Sequence, residues 1–352
     1  MTGLRVIKSE RRFQPEMLSL ARKIQGFTQS ELHNQSGISQ AHLSKIEQGL
    51  QDPTEEHIEK LSQVLGFPPD FFFQNSRYFS PITPFHRKRT SFGKKAQEQA
   101  EAIANLKRIH LEKLLIAFDT EKIIPKLELE EYKTPEKVAQ VLRAYLQLPR
   151  GPIQNLVMVL EDHGVFIFLE DFTSMQLSGF TLIGNDTTPI IFINKEAPGD
   201  MERLTLAHEL GHIVMHAIIS KGVEEEAWRF AAEFMMPKAD ISFELRRARK
   251  VADFADLKRK WRISMAALMR RSHELNFITN TQYRYLMQAM AHYRIEEPVQ
   301  TAQEIPSLFD ELITQYKTEY DYSDEEIAQV LTIYKEMYQD LYVKNNTIRL
   351  VK

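Results

Sequence analysis

At 352 residues the chain is too long for one ordinary hydrophobic core, so two or more domains are expected. Its 43% hydrophobic and 26% charged residues give the balance of a soluble globular protein, and the lack of any cysteine excludes disulfides, thiolate metal sites and a cysteine nucleophile. The net charge of −3 conceals a basic start, with 14 Lys/Arg against 9 Asp/Glu in residues 1–95, which points to a polyanion as the partner of that segment alone.

Met1-Thr2-Gly3-Leu4-Arg5 has no signal-peptide core, and no apolar run approaches the roughly 18 residues that span a bilayer. No membrane association is expected, and a cytoplasmic location fits the absence of cysteine. Met17, Leu20, Ala21 and Ile24 then follow the i, i+3, i+4, i+7 spacing of an amphipathic helix that ends at Gly26-Phe27. Thr28 with Glu31 three residues on forms the capping-box pattern of a second helix, Gln29–Gln35. A break at Ser36-Gly37-Ile38 and a cap at Ser39 lead into Gln40–Gln48, which stops at Gly49; Thr54 opens a fourth helix facing inward through Ile58, Leu61, Val64 and Leu65.

Two short helices joined by a glycine-containing turn form a helix-turn-helix. The run Thr28-Gln29-Ser30-Glu31-Leu32, Ser36-Gly37-Ile38-Ser39-Gln40, Leu43-Ser44-Lys45-Ile46-Glu47-Gln48-Gly49 and Pro53-Thr54 resembles the Xre/Cro-type family over some sixty residues. That resemblance implies that the second helix enters the major groove of double-stranded DNA. Its exposed face would be Ser39, Gln40, Ala41, Ser44 and Lys45, with Gln40 suited to adenine and Lys45 to guanine or phosphate. Gln29 is expected at a backbone phosphate. His42 and His33 depart from the small residues usual at their positions. One short helix reads few bases, so a homodimer on paired half-sites is expected.

A basic, Pro-containing linker is expected over 76–100, with His86-Arg87-Lys88-Arg89 and Lys94-Lys95. Helices follow at 97–118 and 135–146, the second capped by Thr134 with Pro135 in its first turn. Short apolar runs at 165–169, 179–183 and 189–194 read as strands of a small sheet.

His208-Glu209-Leu210-Gly211-His212 lies in a helical pattern starting at Gly199-Asp200. Helical positions i and i+4 share a face, so His208 and His212 can ligate one zinc while Glu209 takes a proton from water. A third protein ligand is needed. His216 lies eight residues after His208, where a metzincin third histidine would lie ten after, so the better source is Glu224-Glu225-Glu226-Ala227-Trp228-Arg229-Phe230-Ala231-Ala232 on the next helix. Spacing alone leaves Glu224, Glu225 and Glu226 open.

Leu206–His212 with His216 and the downstream run to Met236-Pro237 resemble the ImmA/IrrE family of HExxH metallopeptidases. The resemblance implies Glu224 as third ligand, a polar residue where this chain has Trp228, and cleavage of a helix-turn-helix repressor as the activity. Because a repressor-like domain lies in the same chain, self-cleavage near the linker is a possible route. A regulator whose zincin domain senses a ligand or partner without proteolysis, and an antitoxin-like module, are the alternatives. Thr134–Glu161 resembles the family's entry helices, and Leu257–Leu275 its C-terminal helical part.

The fold class expected is therefore multidomain and mainly α. An all-α helix-turn-helix domain (1–75) and the linker (76–100) precede an α+β zincin-like domain with entry helices (101–240). A C-terminal helical region follows: 241–295, where 241–294 carries 12 basic against 4 acidic residues, and an acidic tail, 296–352, with 12 acidic against 5 basic.

Overall fold

The computed structural model describes residues 12–75, 94–118, 124–172, 177–182, 188–216, 222–293 and 297–343. These residues fall into two compact units, the first within Met1–Ser80, Lys88–Asp119 and Asp310–Lys352, the second within Thr120–Phe309. Residues 76–93 of the expected linker, Ile183 at the end of the second expected strand, and 344–352 of the tail lie outside the described residues.

The first unit opens with α1 (Pro15–Ile24), α2 (Gln29–Ser36), α3 (Gln40–Glu47) and α4 (Glu55–Leu65). Their limits are set by the local chemistry read above. The Thr28 and Thr54 hydroxyls accept from the backbone N–H of Glu31 and His57, and their own backbone N–H groups donate back to the Glu31 and His57 side chains, two capping boxes. Gly37 closes α2 in the left-handed region at φ 71°, where glycine carries no Cβ penalty. Met17, Leu20, Leu32, Leu43, Ile46 and Leu61 are buried as the core. Across it Arg22 forks onto Glu47, Nε to Oε1 at 2.6 Å and Nη2 to Oε2 at 2.9 Å.

Helix α5 (Lys94–Leu115) corrects two sequence expectations. Residues 94–100 are its first turns and not linker, and it joins this unit, not the zincin-like one. Ala100, Ala102, Ile103, Ala104, Leu106, Ile109 and Leu111 are buried around its circumference, so the helix belongs inside a core. Its Gln99 amide donates to the Ile24 carbonyl at 2.8 Å, and Lys95 reaches Glu31 at 3.0 Å.

The second unit starts with α6 (Leu129–Tyr132), α7 (Pro135–Tyr145) and α8 (Leu156–Glu161). Strands β1 (Phe166–Glu170), β2 (Gly179–Leu182) and β3 (Ile190–Asn194) lie close to the three apolar runs and form one sheet in the order β1-β3-β2. β1 runs parallel to β3, and β2 antiparallel to it with Thr181 opposite Ile191. Helices α9 (Gly199–Met215), α10 (Val223–Met235), α11 (Lys238–Leu245), α12 (Val251–Trp261), α13 (Met265–Glu274) and α14 (Asn280–Ala289) complete the layers. The basic region 241–295 is not a separate body: Phe254, Trp261, Leu268 and Met269 share one core with Ile191, Leu206 and Phe230.

Residues 297–307 carry no regular structure and bind the unit together through side chains. Glu304 accepts from the backbone N–H of Leu156 and Val157, capping α8 as an anion at a helix N-terminus should, and pairs with buried Arg203. Glu297 takes Lys258 Nζ and the N–H of Met265. A Cβ at Gly199 would stand 2.5 Å from the Ala302 carbonyl oxygen, so only glycine admits this backbone at the start of α9. Glu202, also on α9, is fully buried, and neither of its carboxylate oxygens has a hydrogen-bond partner among the described residues.

The acidic tail also corrects its expectation. α15 (Leu308–Glu319), α16 (Asp324–Leu331) and α17 (Lys335–Tyr338) belong from Asp310 onward to the first unit. Ile327, Ala328 and Leu331 give α16 a buried face, and α16 packs on α5. Tyr316 donates to the Leu114 carbonyl at 2.8 Å, and the Tyr342 hydroxyl meets His110 Nδ1 at 2.7 Å. Among the described residues no helix is long and apolar enough to cross a membrane.

Candidate metal centre and nucleic-acid helix

In the first unit, Ser39, Gln40, Ala41 and Lys45 are exposed on α3 while Leu43 and Ile46 point into the core. Ser39 is spent as the α3 cap, accepting from the His42 N–H at 3.3 Å. Ser44 is half-buried and accepts from the Gln48 amide at 3.1 Å. Gln29 is half-buried too, its amide donating to Glu47 Oε2 at 2.8 Å and so turned towards the Arg22–Glu47 pair. The two unusual histidines have structural partners. His33 Nδ1 lies 2.8 Å from the Ile38 carbonyl across the turn between α2 and α3, and His42 packs edge-on against His57 with ring centres 4.6 Å apart.

In the second unit, α9 carries His208, Glu209 and His212 in its buried final turns. Gly211, between the ligand candidates, faces α10: a Cβ there would stand 3.0 Å from Phe230 Cδ1 and 3.3 Å from Ala227 Cα. The glycine therefore lets α10 approach closely, and its first turn brings Glu224 to the histidines. His208 Nε2 and His212 Nε2 are 3.1 Å apart, and Glu224 Oε1 and Oε2 lie 3.5 Å from His212 Nε2 and 3.7 Å from His208 Nε2 respectively. Of the three carboxylates that spacing left open, only Glu224 stands in this group; Glu225 is exposed and Glu226 bonds His216 Nε2 at 3.1 Å.

The donor set suits zinc. Bonds of about 2.0–2.1 Å in a tetrahedral shell put ligand atoms roughly 3.3 Å apart, and two imidazoles plus one carboxylate leave a fourth position for water. The far end of α10 is fixed by Glu233, which accepts from Arg271 and from the Gln140 amide, while Arg143 donates to the Phe234 carbonyl at 2.7 Å.

Two features of the site were not read from the sequence. Thr181 on β2 donates its hydroxyl to Glu209 Oε2 at 2.7 Å in a buried setting. Burial pushes the Glu209 carboxyl up, and the Glu224 charge adds to this, while His212 and Thr181 oppose it. The second feature extends the ligand line: His212 Nδ1 and His216 Nδ1 are 2.9 Å apart, and His216 continues to Glu226. Burial lowers the His216 pKa and the neighbouring His212 adds to this, while the hydrogen bond and charge of Glu226 oppose it. Trp228, where the resemblance implies a polar side chain, lays its ring against His208 with centres 4.1 Å apart. Its indole N–H is a donor only.

Residues 18–72 match a family model described as helix-turn-helix. Residues 160–273 match the peptidase family M78 model, described as IrrE N-terminal-like domain. No curated protein and no solved structure matches the chain. The first match covers α2 to α4 and most of α1; the second runs from the end of α8 to α13, leaving α5 to α7 and α14 to α17 outside both. The polypeptide thus joins a domain of the helix-turn-helix family to a domain of the IrrE N-terminal-like peptidase family.

Proposed function

We propose that the protein is a cytoplasmic, DNA-binding transcriptional regulator with a zinc-dependent endopeptidase domain, which cleaves a helix-turn-helix repressor-type protein to change transcription. The observation that carries this reading is the convergence of His208, His212 and Glu224, at spacings of 3.1, 3.5 and 3.7 Å, in the same helix pair as buried Glu209. His208 and His212 would hold the ion through Nε2 and Glu224 through its carboxylate. Zinc, when bound, supplies Lewis acidity that polarises a peptide carbonyl and acidifies the attacking water. Glu209 is the base: held through Oε2 by Thr181, it takes the water's proton on Oε1 and delivers it to the leaving amine. Its raised pKa brings it nearer the range in which proton uptake and return both proceed at neutral pH.

In the first unit Gln40 and Lys45 are the base- and phosphate-reading side chains, with Ala41 against the groove and Ser39, Ser44 and Gln29 supporting α3 from their own bonds. A homodimer provides two such helices for paired half-sites. Within 74–100, the part ahead of α5 (76–93) is one cleavage target in the chain itself, beside separate repressors.

Trp228 against His208 favours a second reading, in which the site binds metal and senses a partner without cutting. One experiment separates the two. The purified chain is assayed for zinc and incubated with candidate repressors and with itself, as wild type and as Glu209→Gln. Peptidase function requires fragments from the wild type and none from a zinc-loaded Glu209→Gln. Intact substrates in both, with regulation in cells unchanged by the substitution, would establish the sensing role and overturn proteolysis.

A further inference from the structure

His208 and His212 on α9 and His216, the residue that caps its C-terminal end, repeat every fourth residue, but only the first two meet Glu224. His216 instead meets His212 on its other nitrogen. Two Nδ1 atoms 2.9 Å apart hold one proton between them, because two bare nitrogens repel and two N–H groups clash. Which ring carries that proton decides whether His212 can bind a metal. If His216 carries it, a neutral His212 has its proton on Nε2, the atom facing His208 and Glu224, and cannot ligate through it.

Glu226 breaks the tie. Its carboxylate only accepts, and Oε2 is 3.1 Å from His216 Nε2, so that nitrogen must be N–H. A His212 that ligates through Nε2 carries its proton on Nδ1, and His216, with its own proton on Nε2 towards Glu226, offers Nδ1 as the acceptor. His212 Nε2 is then bare. Second partners of metal-ligating histidines are commonly a carboxylate or carbonyl; here an imidazole stands between the ligand and the carboxylate. The relay also ties the C-terminal end of α9 to the first turn of α10, the turn that carries Glu224.

We propose that His216 and Glu226 form a positioning relay that holds His212 in its metal-binding tautomer. The inference rests on the metal-site reading above. The test measures zinc affinity of the full chain by chelator competition and the visible absorption of the cobalt(II)-loaded protein, with circular dichroism to check folding. Three variants are compared. His216→Phe keeps a ring without an acceptor, His216→Asn keeps an acceptor atom near the place of Nδ1, and Glu226→Leu removes the carboxylate from a side chain that is 31% exposed. The Phe and Leu variants are expected to bind zinc about 10- to 100-fold more weakly, the range typical of such outer partners, with an altered cobalt band. The Asn variant should stay near the wild type. If folded Phe and Leu variants bind zinc as the wild type does, the relay is refuted and the metal site stands. If the wild type itself takes up no zinc, the metal reading fails and the relay with it.

Discussion

Glu202→Gln tests how the strongly buried start of α9 responds to pH. Glu202 is fully buried, and its two carboxylate oxygens have no hydrogen-bond partner among the described residues. The nearby guanidiniums are committed elsewhere: Arg203 to Glu304 and the Ile153 carbonyl, Arg262 to the Gln154 carbonyl. Burial therefore dominates, and the carboxyl is pushed from its ordinary 4.5 up to about 7, with Arg203 and Arg262 only partly offsetting it. At about 1.4 kcal/mol per pKa unit, that displacement is worth roughly 3 kcal/mol. The sign follows from which state holds the proton. Below pH 4.5 both folded and unfolded chains are protonated and the group's contribution is complete. Above it the unfolded chain releases the proton first, so stability is lost progressively until pH passes about 7. Glutamine keeps nearly the same shape and never ionises. Its buried amide carries some penalty of its own, but an equal one at every pH, so the quantity to follow is how the variant-minus-wild-type difference changes. That difference should rise by roughly 3 kcal/mol in favour of Glu202→Gln between pH 5 and pH 8.5. Urea unfolding followed by tryptophan fluorescence is the assay, since the two tryptophans, Trp228 and Trp261, both lie in the second unit with Glu202. A difference that stays flat across this range would refute the account of a carboxyl held protonated by burial.

Thr181→Val removes the hydroxyl that holds Glu209 while keeping the β-branched shape on β2. Peptidase turnover should fall about tenfold with zinc content unchanged, the loss expected for about 1.4 kcal/mol of mispositioning; steady-state kinetics and metal analysis check both halves. Lys45→Ala should weaken DNA binding across sequences and reduce the salt slope by about 1, whereas Gln40→Ala should lose about 1–3 kcal/mol of discrimination at one base. Both residues are exposed, so titrations at two salt concentrations should show these effects with the melting temperature unmoved. Glu47→Ala should act oppositely: it strips both bonds from the Arg22 fork, whose side chains are only 10% and 7% exposed, and should lower stability by about 3–5 kcal/mol in urea unfolding followed by far-ultraviolet circular dichroism.

The parts of the fold that were legible are those whose causes are local. Thr28, Ser39, Thr54 and Thr134 each cap the helix that the sequence places after them, because the capping bond spans three residues. The strands were legible as apolar runs between turns for the same reason. Contacts made by residues far apart in sequence were not. Nothing near Lys94–Leu115 tells that this helix packs on α1, or that α16, more than two hundred residues later, packs on it. The site divides along the same line. His208 and His212 follow from four-residue spacing within one helix, while the choice of Glu224 over its neighbours depends on how α10 crosses α9, and Thr181 reaches Glu209 from a strand 28 residues earlier. Gly211 marks the boundary between the two kinds of information. In sequence it is a residue that weakens a helix by about 1 kcal/mol relative to alanine, with no visible reason to stand between two ligands. In space any Cβ at that position would press on Phe230 and Ala227, so the glycine sets how closely α10 lies and therefore whether Glu224 reaches the histidines at all. The local cost within α9 accompanies a close helix pair that brings the Glu224 carboxylate to His208 and His212, a group that α9 cannot assemble from its own turns.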